Sequence, residues 1–274
     1  MLQSKSSVRA PAVAGTFYPG ESRELTQSLA QMLGDAAHDA PERPVPKALI
    51  APHAGYIYSG PVAASVYALL APSRSSITRV VLLGPTHRVA VRGLALPGSQ
   101  AFATPLGTVE IDRAAVETLR GMPQVIVSEQ AHALEHSLEV HVPFLQTVLE
   151  RFTLVPLAVG HASAQEVAEV LDALWGGPET LIVVSSDLSH YLSYGDAQAV
   201  DRATAKAILG LAAEISHEQA CGATPVTGLN HTARRRGLKA ELIDLRNSGD
   251  TAGDKNRVVG YGSFAFYEAT RNAS

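Results

Sequence analysis

Residues 47–60 read Lys-Ala-Leu-Ile-Ala-Pro-His-Ala-Gly-Tyr-Ile-Tyr-Ser-Gly, and this stretch indicates how the chain folds. It opens with a short apolar run, Ala48–Ala51, of the kind that forms a buried strand. His53 follows at the expected carboxyl end of that strand, which is the edge of an open α/β sheet where ligands bind. An apolar helix is predicted over residues 62–70. The stretch therefore predicts a strand, a ligand-facing loop and a helix.

Two further apolar runs also lead into loops that contain a histidine. Residues 80–84 precede a loop with His87, and residues 181–184 precede a polar turn that holds Asp187 and His190. Because the carboxyl ends of parallel strands meet at one edge of a sheet, we expect the three histidine loops to gather there. This recurrence is the main functional signal of the sequence.

The rest of the chain alternates between predicted strands and helices, with no internal repeat. This alternation predicts a single α/β domain over residues 1–274, built as an α/β sandwich with a largely parallel central sheet. Residues 92–112 contain short extended pieces that predict a hairpin on the edge of this sheet. Apolar residues from 138 to 149 predict a helix that begins near Ser137 and is kinked at Pro143.

The composition argues against several classes of function. The formal net charge of −4 at pH 7 and the lack of a basic patch argue against nucleic acid as a partner. No uninterrupted apolar run is long enough to span a bilayer, so no membrane partner is expected. A single cysteine, Cys221, excludes an intramolecular disulfide framework and suits a reducing cytoplasm. We therefore expect a cytoplasmic protein whose substrate is a small molecule.

His53 and His87 are the first candidate metal ligands. Imidazole is the commonest metal ligand in proteins, and a strand end holds it rigidly. A histidine in such a loop can also simply bond a backbone carbonyl, so the residues alone leave both interpretations open. The spacings of zinc deaminases, metalloproteases and zinc fingers are absent. A third ligand would come from Glu139 or Asp187, as in iron sites with two histidines and one carboxylate, or from Cys221, which could instead be an inert small hydrophobic residue.

His190 and its turn neighbour Asp187 are the candidate catalytic residues. A histidine that faces a metal without binding it can act as a general acid or base. A serine-hydrolase site at Ser185 or Ser186 is disfavoured, because no Gly-x-Ser-x-Gly elbow is present and adjacent residues do not easily assemble into a triad.

Four other side chains are candidates for positions around the metal ligands. His136 and Glu139 are candidates for orienting a ligand by hydrogen bonding. Glu139 would also be favourable near a helix N-terminus for electrostatic reasons alone. Tyr58 and Phe17 lie in conspicuous segments of the sequence and join this group as candidate substrate contacts.

Six segments resemble those of one known family. They are Ala-Gly-Thr-Phe-Tyr-Pro (14–19), Ala-Pro-His-Ala-Gly-Tyr-Ile-Tyr-Ser-Gly (51–60), Leu-Gly-Pro-Thr-His (83–87), Glu-His-Ser-Leu-Glu-Val-His-Val-Pro-Phe (135–144), Val-Val-Ser-Ser-Asp-Leu-Ser-His-Tyr (183–191) and Cys-Gly-Ala-Thr-Pro (221–225). Because they follow one another over nearly the whole chain, the sequence is identified as a member of the Memo family. Within that family it resembles the bacterial and archaeal group called AmmeMemoRadiSam system protein B.

The resemblance implies a fold similar to that of class III extradiol ring-cleavage dioxygenases, whose iron is held by two histidines and a glutamate. It implies His53 and His87 as metal ligands, Cys221 in place of the glutamate, and His190 as the catalytic histidine. Fe²⁺ is the expected metal, with copper or zinc as alternatives. The cysteine departs from the ring-cleavage pattern, because a thiolate favours Cu(I) or a redox-tuned iron.

We therefore expect a metal-binding protein with a redox, oxidoreductase-type role at a His-His-Cys site. One alternative is an extradiol-type, iron-dependent dioxygenase that acts on a catecholic substrate. Another is a non-catalytic binding module for a peptide or protein partner. The usual name of the family also implies radical-SAM and AMMECR-type proteins as partners.

Overall fold

A computed structural model describes residues 8–38 and 43–268 of the chain. The strands of this part are β1 (Val8–Arg9), β2 (Ala48–Ala51), β3 (Arg79–Pro85), β4 (Leu94–Leu96), β5 (Ala101–Thr104), β6 (Gly107–Glu110), β7 (Val125–Val127), β8 (Thr153–Val159), β9 (Thr180–Ser185), β10 (His190–Leu192), β11 (Lys239–Asn247) and β12 (Val258–Tyr267). The α-helices are α1 (Ser22–His38), α2 (Tyr56–Tyr67), α3 (Arg113–Thr118), α4 (Glu129–Ala133), α5 (Val142–Val148), α6 (Ala164–Leu174), α7 (Tyr194–Leu209) and α8 (Ala223–Arg236). Short 3-10 helices cover Ala68–Ser73, Glu139–His141 and Ser248–Asp250.

Four parallel strands form the centre of the main sheet. They stand in the order β2-β9-β3-β8, and the crossovers from β2 to β3 and from β8 to β9 contain α2 and α6. Strand β12 pairs with β2 and strand β4 pairs with β8, both in antiparallel fashion. Strand β11 is also an antiparallel neighbour of β12, because the short connection between them holds only a 3-10 helix and no α-helix that could make a crossover. The predicted α/β fold is confirmed, but the parallel arrangement holds mainly for the centre of the sheet.

Both faces of the central strands are apolar and buried, as crossover helices on both sides require. Alternate residues point to opposite faces, so that Leu49 and Leu82 belong to one core, and Ile50 and Leu83 to the other. Helices α1, α2 and α5 cover the first face, and helices α6, α7 and α8 cover the second. Among the described helices, none has both the length and the apolar character that crossing a membrane demands.

The hairpin predicted within residues 92–112 forms, but not on the edge of the main sheet. Strands β5 and β6 are its antiparallel arms, and β5 pairs with β1 to make a small separate sheet. Strand β4, from the same segment, takes the place beside β8 instead. The cause is the anchoring of β1: Arg9 forms a buried ion pair with Glu139 and donates to the carbonyls of His132 and Glu135. This anchored strand gives β5 a partner away from the main sheet.

Helix α5 starts at Val142, whereas the sequence predicts a helix that begins near Ser137 and is kinked at Pro143. The residues ahead of α5 form other hydrogen bonds: the Ser137 hydroxyl donates to the carbonyl of Pro85, and the Ser137 N–H donates to the carboxylate of Glu135. Pro143 therefore lies in the first turn of α5 and not in the interior of a longer helix. A proline is tolerated there because its missing N–H would have no helical partner.

One buried carboxylate fastens the segment before α1 to the core. Glu139 accepts hydrogen bonds from Arg9 Nη1 at 2.7 Å and from the Tyr18 hydroxyl at 2.6 Å. It also accepts the backbone N–H groups of Ala12 and Val13 at 2.7 and 3.0 Å. The side chains of Arg9 and Glu139 are 2% and 1% exposed, so their ion pair is shielded from water.

We expect this buried ion pair to be much more sensitive to the loss of one partner than an exposed pair. Removing one member of a buried pair leaves an uncompensated charge and costs about 3–5 kcal/mol. Glu139→Gln should therefore lower the free energy of unfolding by about 3 kcal/mol or more, as measured by chemical denaturation. The matched control is Glu117→Gln, which removes an exposed pair with Arg120 and should be nearly neutral. Equal losses in the two variants would contradict the assignment.

Candidate metal centre

The loops after β2 and β3 bring two histidines together at the carboxyl edge of the main sheet. Strand β9 lies between these two strands, and the ring centroids of His53 and His87 are 5.2 Å apart. The gathering predicted from the strand ends is therefore observed for this pair. His190, from the third loop, begins β10 and is half-buried. Its Nδ1–H donates to the carbonyl of Leu188 at 2.9 Å.

His136 joins His53 and His87 in a cluster of three imidazoles. One ring nitrogen of each lies within 4.8 Å of the others, a spacing at which they could hold a metal ion. The His136 ring stacks on that of His87, with centroids 4.8 Å apart, and also contacts Phe17 at 4.7 Å. Its buried Nδ1 forms no hydrogen bond, although Glu135 Oε1 is 3.3 Å away. A buried imidazole nitrogen without a partner, beside two other imidazoles, fits a metal ligand.

His53 is held through its backbone and one ring nitrogen. Its N–H donates to Asp187 Oδ1 at 2.7 Å, and its Nδ1 lies 2.6 Å from the hydroxyl oxygen of Ser185. The other ring nitrogen, Nε2, lies 3.3 Å from Cys221 Sγ. Burial, and then the charges of the neighbouring imidazoles, lower the pKa of His53 well below its usual value. The ring is therefore neutral at neutral pH, as metal binding requires.

Glu135 orients His87. The carboxylate accepts the backbone N–H of His87 at 2.6 Å and lies 2.9 Å from Nδ1, which must donate because an ionised carboxylate only accepts. The same carboxylate accepts the N–H groups of His136 and Ser137 at 2.9 and 3.0 Å. Burial alone would raise the pKa of Glu135, but the hydrogen bonds and charge of His87 lower it to about 2. Because the proton of His87 is on Nδ1, its Nε2 is free to bind a metal.

Cys221 belongs to the same centre but lies outside the cluster of imidazoles. It is half-buried just before α8, and its Sγ is 3.3 Å from His53 Nε2 and 3.6 Å from the carbonyl oxygen of Asp187. Burial, and then the charge of Asp187, raise the pKa of the thiol to about 12. A cavity of about 290 Å³ is lined by both Cys221 and His87, so a small molecule there could contact either residue.

The two carboxylates considered as metal ligands have other partners. Both oxygens of Glu139 accept hydrogen bonds from the segment before α1, so Glu139 neither faces the cluster nor orients a histidine. Asp187 is buried, which raises the pKa of its carboxyl, and its Oδ1 holds the backbone of His53. Its Oδ2 is 3.9 Å from His53 Nε2. Asp187 therefore fixes the loop of His53 through a hydrogen bond to its backbone.

The two aromatic candidates differ in what they contact. Phe17 touches the ring of His136, and its carbonyl accepts the N–H of Tyr56 at 2.7 Å. Tyr58 lies in the first turn of α2 and is 36% exposed. Phe17 is thus a direct neighbour of the cluster, whereas Tyr58 offers a partly open ring to solvent.

A row of buried, hydrogen-bonded polar side chains extends from His53 into the interior. Ser185 Oγ lies 2.6 Å from His53 Nδ1, 2.6 Å from the carbonyl oxygen of Ser137 and 2.9 Å from His141 Nε2. His141 Nδ1 lies in turn 2.9 Å from the hydroxyl of Tyr67. From the sequence, Ser185 is only a rejected hydrolase nucleophile, and His141 and Tyr67 have no role.

The sequence signals for the missed residues are present but weak. Glu135 directly precedes His136, and His141 belongs to the same conspicuous segment, 135–144. Ser185 is the last residue of β9, the strand between those that carry the first two histidines. Such positions become meaningful only when the contacts between distant segments are known.

The family model of the Memo-like protein matches residues 9–265 of this chain. A MEMO1 family protein of Aquifex aeolicus is 38% identical over 267 residues, which cover 93% of this chain and 97% of the relative. Another, of Archaeoglobus fulgidus, is 34% identical over 94% of this chain and 99% of the relative. An uncharacterized protein from Escherichia coli K12 has a solved structure that matches with a TM-score of 0.48 and 14% identity, over 78% of this chain and 98% of that one. From the family model and the sequence identities, the chain belongs to the Memo-like protein family.

Proposed function

We propose that this protein binds a transition metal ion through His53 and His87 and uses it in a redox reaction. The observation that carries the proposal is the cluster of His53, His87 and His136, whose ring nitrogens lie within 4.8 Å of one another. Glu135 accepts the Nδ1 proton of His87, which leaves Nε2 for the metal. Imidazole suits iron, copper and zinc, but only iron and copper could serve a redox reaction, because Zn²⁺ does not change its oxidation state.

The donors around the cluster favour a redox role over ring cleavage. An iron site with two histidines and one carboxylate needs a free carboxylate. Here Glu135 and Glu139 are surrounded by donors. Asp187 accepts the N–H of His53 with Oδ1, and its Oδ2 is 3.9 Å from His53 Nε2, farther than the sulfur of Cys221. The donor beside His53 Nε2 is instead the sulfur of Cys221. When bound, an iron or copper ion would supply a reversible change of oxidation state at this centre.

The distance between Cys221 and His53 supports Cys221 as the third ligand. Nitrogen and sulfur ligands lie about 2.0–2.3 Å from a tetrahedral metal, which puts them roughly 3.5 Å from each other. The observed separation of Sγ and Nε2 is 3.3 Å, so little movement would be needed. His136 competes for this position, because its Nδ1 is buried and has no hydrogen bond.

His190 is proposed to transfer a proton at this centre without binding the metal. Its Nδ1–H donates to the carbonyl of Leu188, so Nε2 is the nitrogen available to accept a proton. His190 follows Asp187 by three residues, and Asp187 Oδ1 accepts the N–H of His53, so the turn of His190 is tied to the loop of His53.

We expect His53→Gln and His87→Gln each to weaken metal binding by more than about 100-fold. Removing a ligand should cost more than removing its hydrogen-bond partner, which costs about 10- to 100-fold. The measurement is calorimetric titration with Fe²⁺ under anaerobic conditions. His161→Gln is the control, because His161 is exposed and lines the same cavity but lies outside the cluster. His190→Gln should also retain the metal. Binding that is equal in all four variants would refute the assignment.

The pH dependence of metal affinity should distinguish Cys221 from His136 as the third ligand. Burial lowers the pKa of His136, so its neutral ring has no proton to displace at neutral pH. The thiol of Cys221, with a pKa of about 12, must release a proton when it binds as a thiolate. Affinity should therefore rise about tenfold per pH unit above neutral pH in the unmodified protein.

The same titration on Cys221→Ser provides the comparison. We expect the slope to disappear in this variant and the affinity for Cu(I) to fall, because the soft ligand has been removed. His136→Gln should keep the slope. If the unmodified protein itself shows a flat profile above neutral pH, His136 and not Cys221 occupies the third position.

A further inference from the structure

The Ser185 hydroxyl group has three polar neighbours and no contact with solvent. The residue is 0% exposed at the end of β9. Its oxygen lies 2.6 Å from the Ser137 carbonyl oxygen, 2.6 Å from His53 Nδ1 and 2.9 Å from His141 Nε2. A hydroxyl carries one proton and two lone pairs, so it can donate to only one of the three neighbours and must accept from the other two.

The carbonyl decides where that proton goes. A carbonyl oxygen cannot donate, and two oxygens 2.6 Å apart require a proton between them. The Ser185 hydroxyl therefore donates to Ser137, and its two lone pairs accept from His53 Nδ1–H and His141 Nε2–H. The proton positions of both imidazoles follow from this one contact.

The contact of Tyr67 with His141 agrees with the assignment. The hydroxyl of Tyr67 lies 2.9 Å from His141 Nδ1, and the side chain of Tyr67 is fully buried. With the proton of His141 on Nε2, Nδ1 has a free lone pair, and the Tyr67 hydroxyl donates to it. Every buried donor in the row from Tyr67 to His53 then has an acceptor, as buried polar groups require.

We propose that Ser185, supported by His141 and Tyr67, is a positioning residue that fixes His53 as the tautomer with its proton on Nδ1. Nε2 then carries a lone pair that faces the imidazole cluster. The use of this lone pair by a metal rests on the proposed function, but the tautomer itself does not require a metal. In this row of bonds Ser185 is an acceptor for histidines and not a nucleophile.

Without the Ser185 oxygen, the proton of His53 would be better placed on the other nitrogen. Nδ1 would lose its acceptor, whereas Nε2 lies 3.3 Å from Cys221 Sγ and 3.9 Å from Asp187 Oδ2. A proton on Nε2 would then be stabilised by these groups, and it would occupy the position that a metal needs. The serine oxygen thus keeps the binding nitrogen free.

The test is nitrogen NMR of the metal-free protein labelled with ¹⁵N-histidine, which reports the proton position of each ring. We expect opposite tautomers, with the proton of His53 on Nδ1 and that of His141 on Nε2. In Ser185→Ala the proton of His53 should move to Nε2, in whole or in part. Ser263→Ala is the matched control, because it removes another buried hydroxyl, one that donates to the carbonyl of Val62, and should leave both tautomers unchanged.

A proton on Nε2 of His53 in the unmodified protein would overturn the proposal, whatever the variants do. An unchanged tautomer in folded Ser185→Ala would overturn it as well. Metal titration is the second measurement, and Ser185→Ala should bind about 10- to 100-fold more weakly than Ser263→Ala. If the unmodified protein binds no metal but shows the expected tautomers, the metal-binding proposal fails and the role of Ser185 stands.

Discussion

Segment 135–141 buries two carboxylates, and each of them needs hydrogen-bond donors in the interior. The geometry of the candidate site depends on this requirement. Glu135 and Glu139 are 2% and 1% exposed, and donors surround both of them. A buried carboxylate without donors is strongly destabilising, so the backbone follows a path that serves both residues and not the helix that its apolar pattern favours. Glu135 thereby meets the loop of His87, and Glu139 meets β1. Orientation of a candidate metal ligand and anchoring of a strand result from one arrangement.

The centre of the sheet could be predicted from the sequence, but its surroundings could not. The apolar runs in β2, β3 and β9 become parallel neighbours, because strands that are apolar on both faces must be covered on both sides. The hairpin of β5 and β6 is different, since its partner β1 is placed by Arg9, far away in the sequence. Helix α2 begins at Tyr56, earlier than the predicted residue 62, and the N–H of Tyr56 is bonded to the carbonyl of Phe17. Neither contact could be predicted from the local periodicity of the sequence.

The same distinction applies to the candidate site. His53 and His87 could be predicted to meet, because the end of a strand fixes a residue in space whatever surrounds it. The role of Ser185 could not, since one hydroxyl can be a nucleophile or an acceptor, and only its neighbours decide. For Glu139 the sequence suggests a role that the structure does not support. It lies beside the histidines in the sequence, which suggests a role at the metal, but its side chain pairs with Arg9.

Arg9 and Glu139 are separated by 130 positions in the chain, yet they form one buried ion pair. Neither charge is stable in the interior alone, so evolution can change one position only if it changes the other at nearly the same time. The two positions should therefore vary together among relatives, and an apolar residue at one should accompany an apolar residue at the other. For a protein engineer, random substitution of either position alone would mostly yield destabilised chains, whereas a library that varies both together could retain stability. Changes in the first strand and in the segment 135–141 should therefore be inherited together.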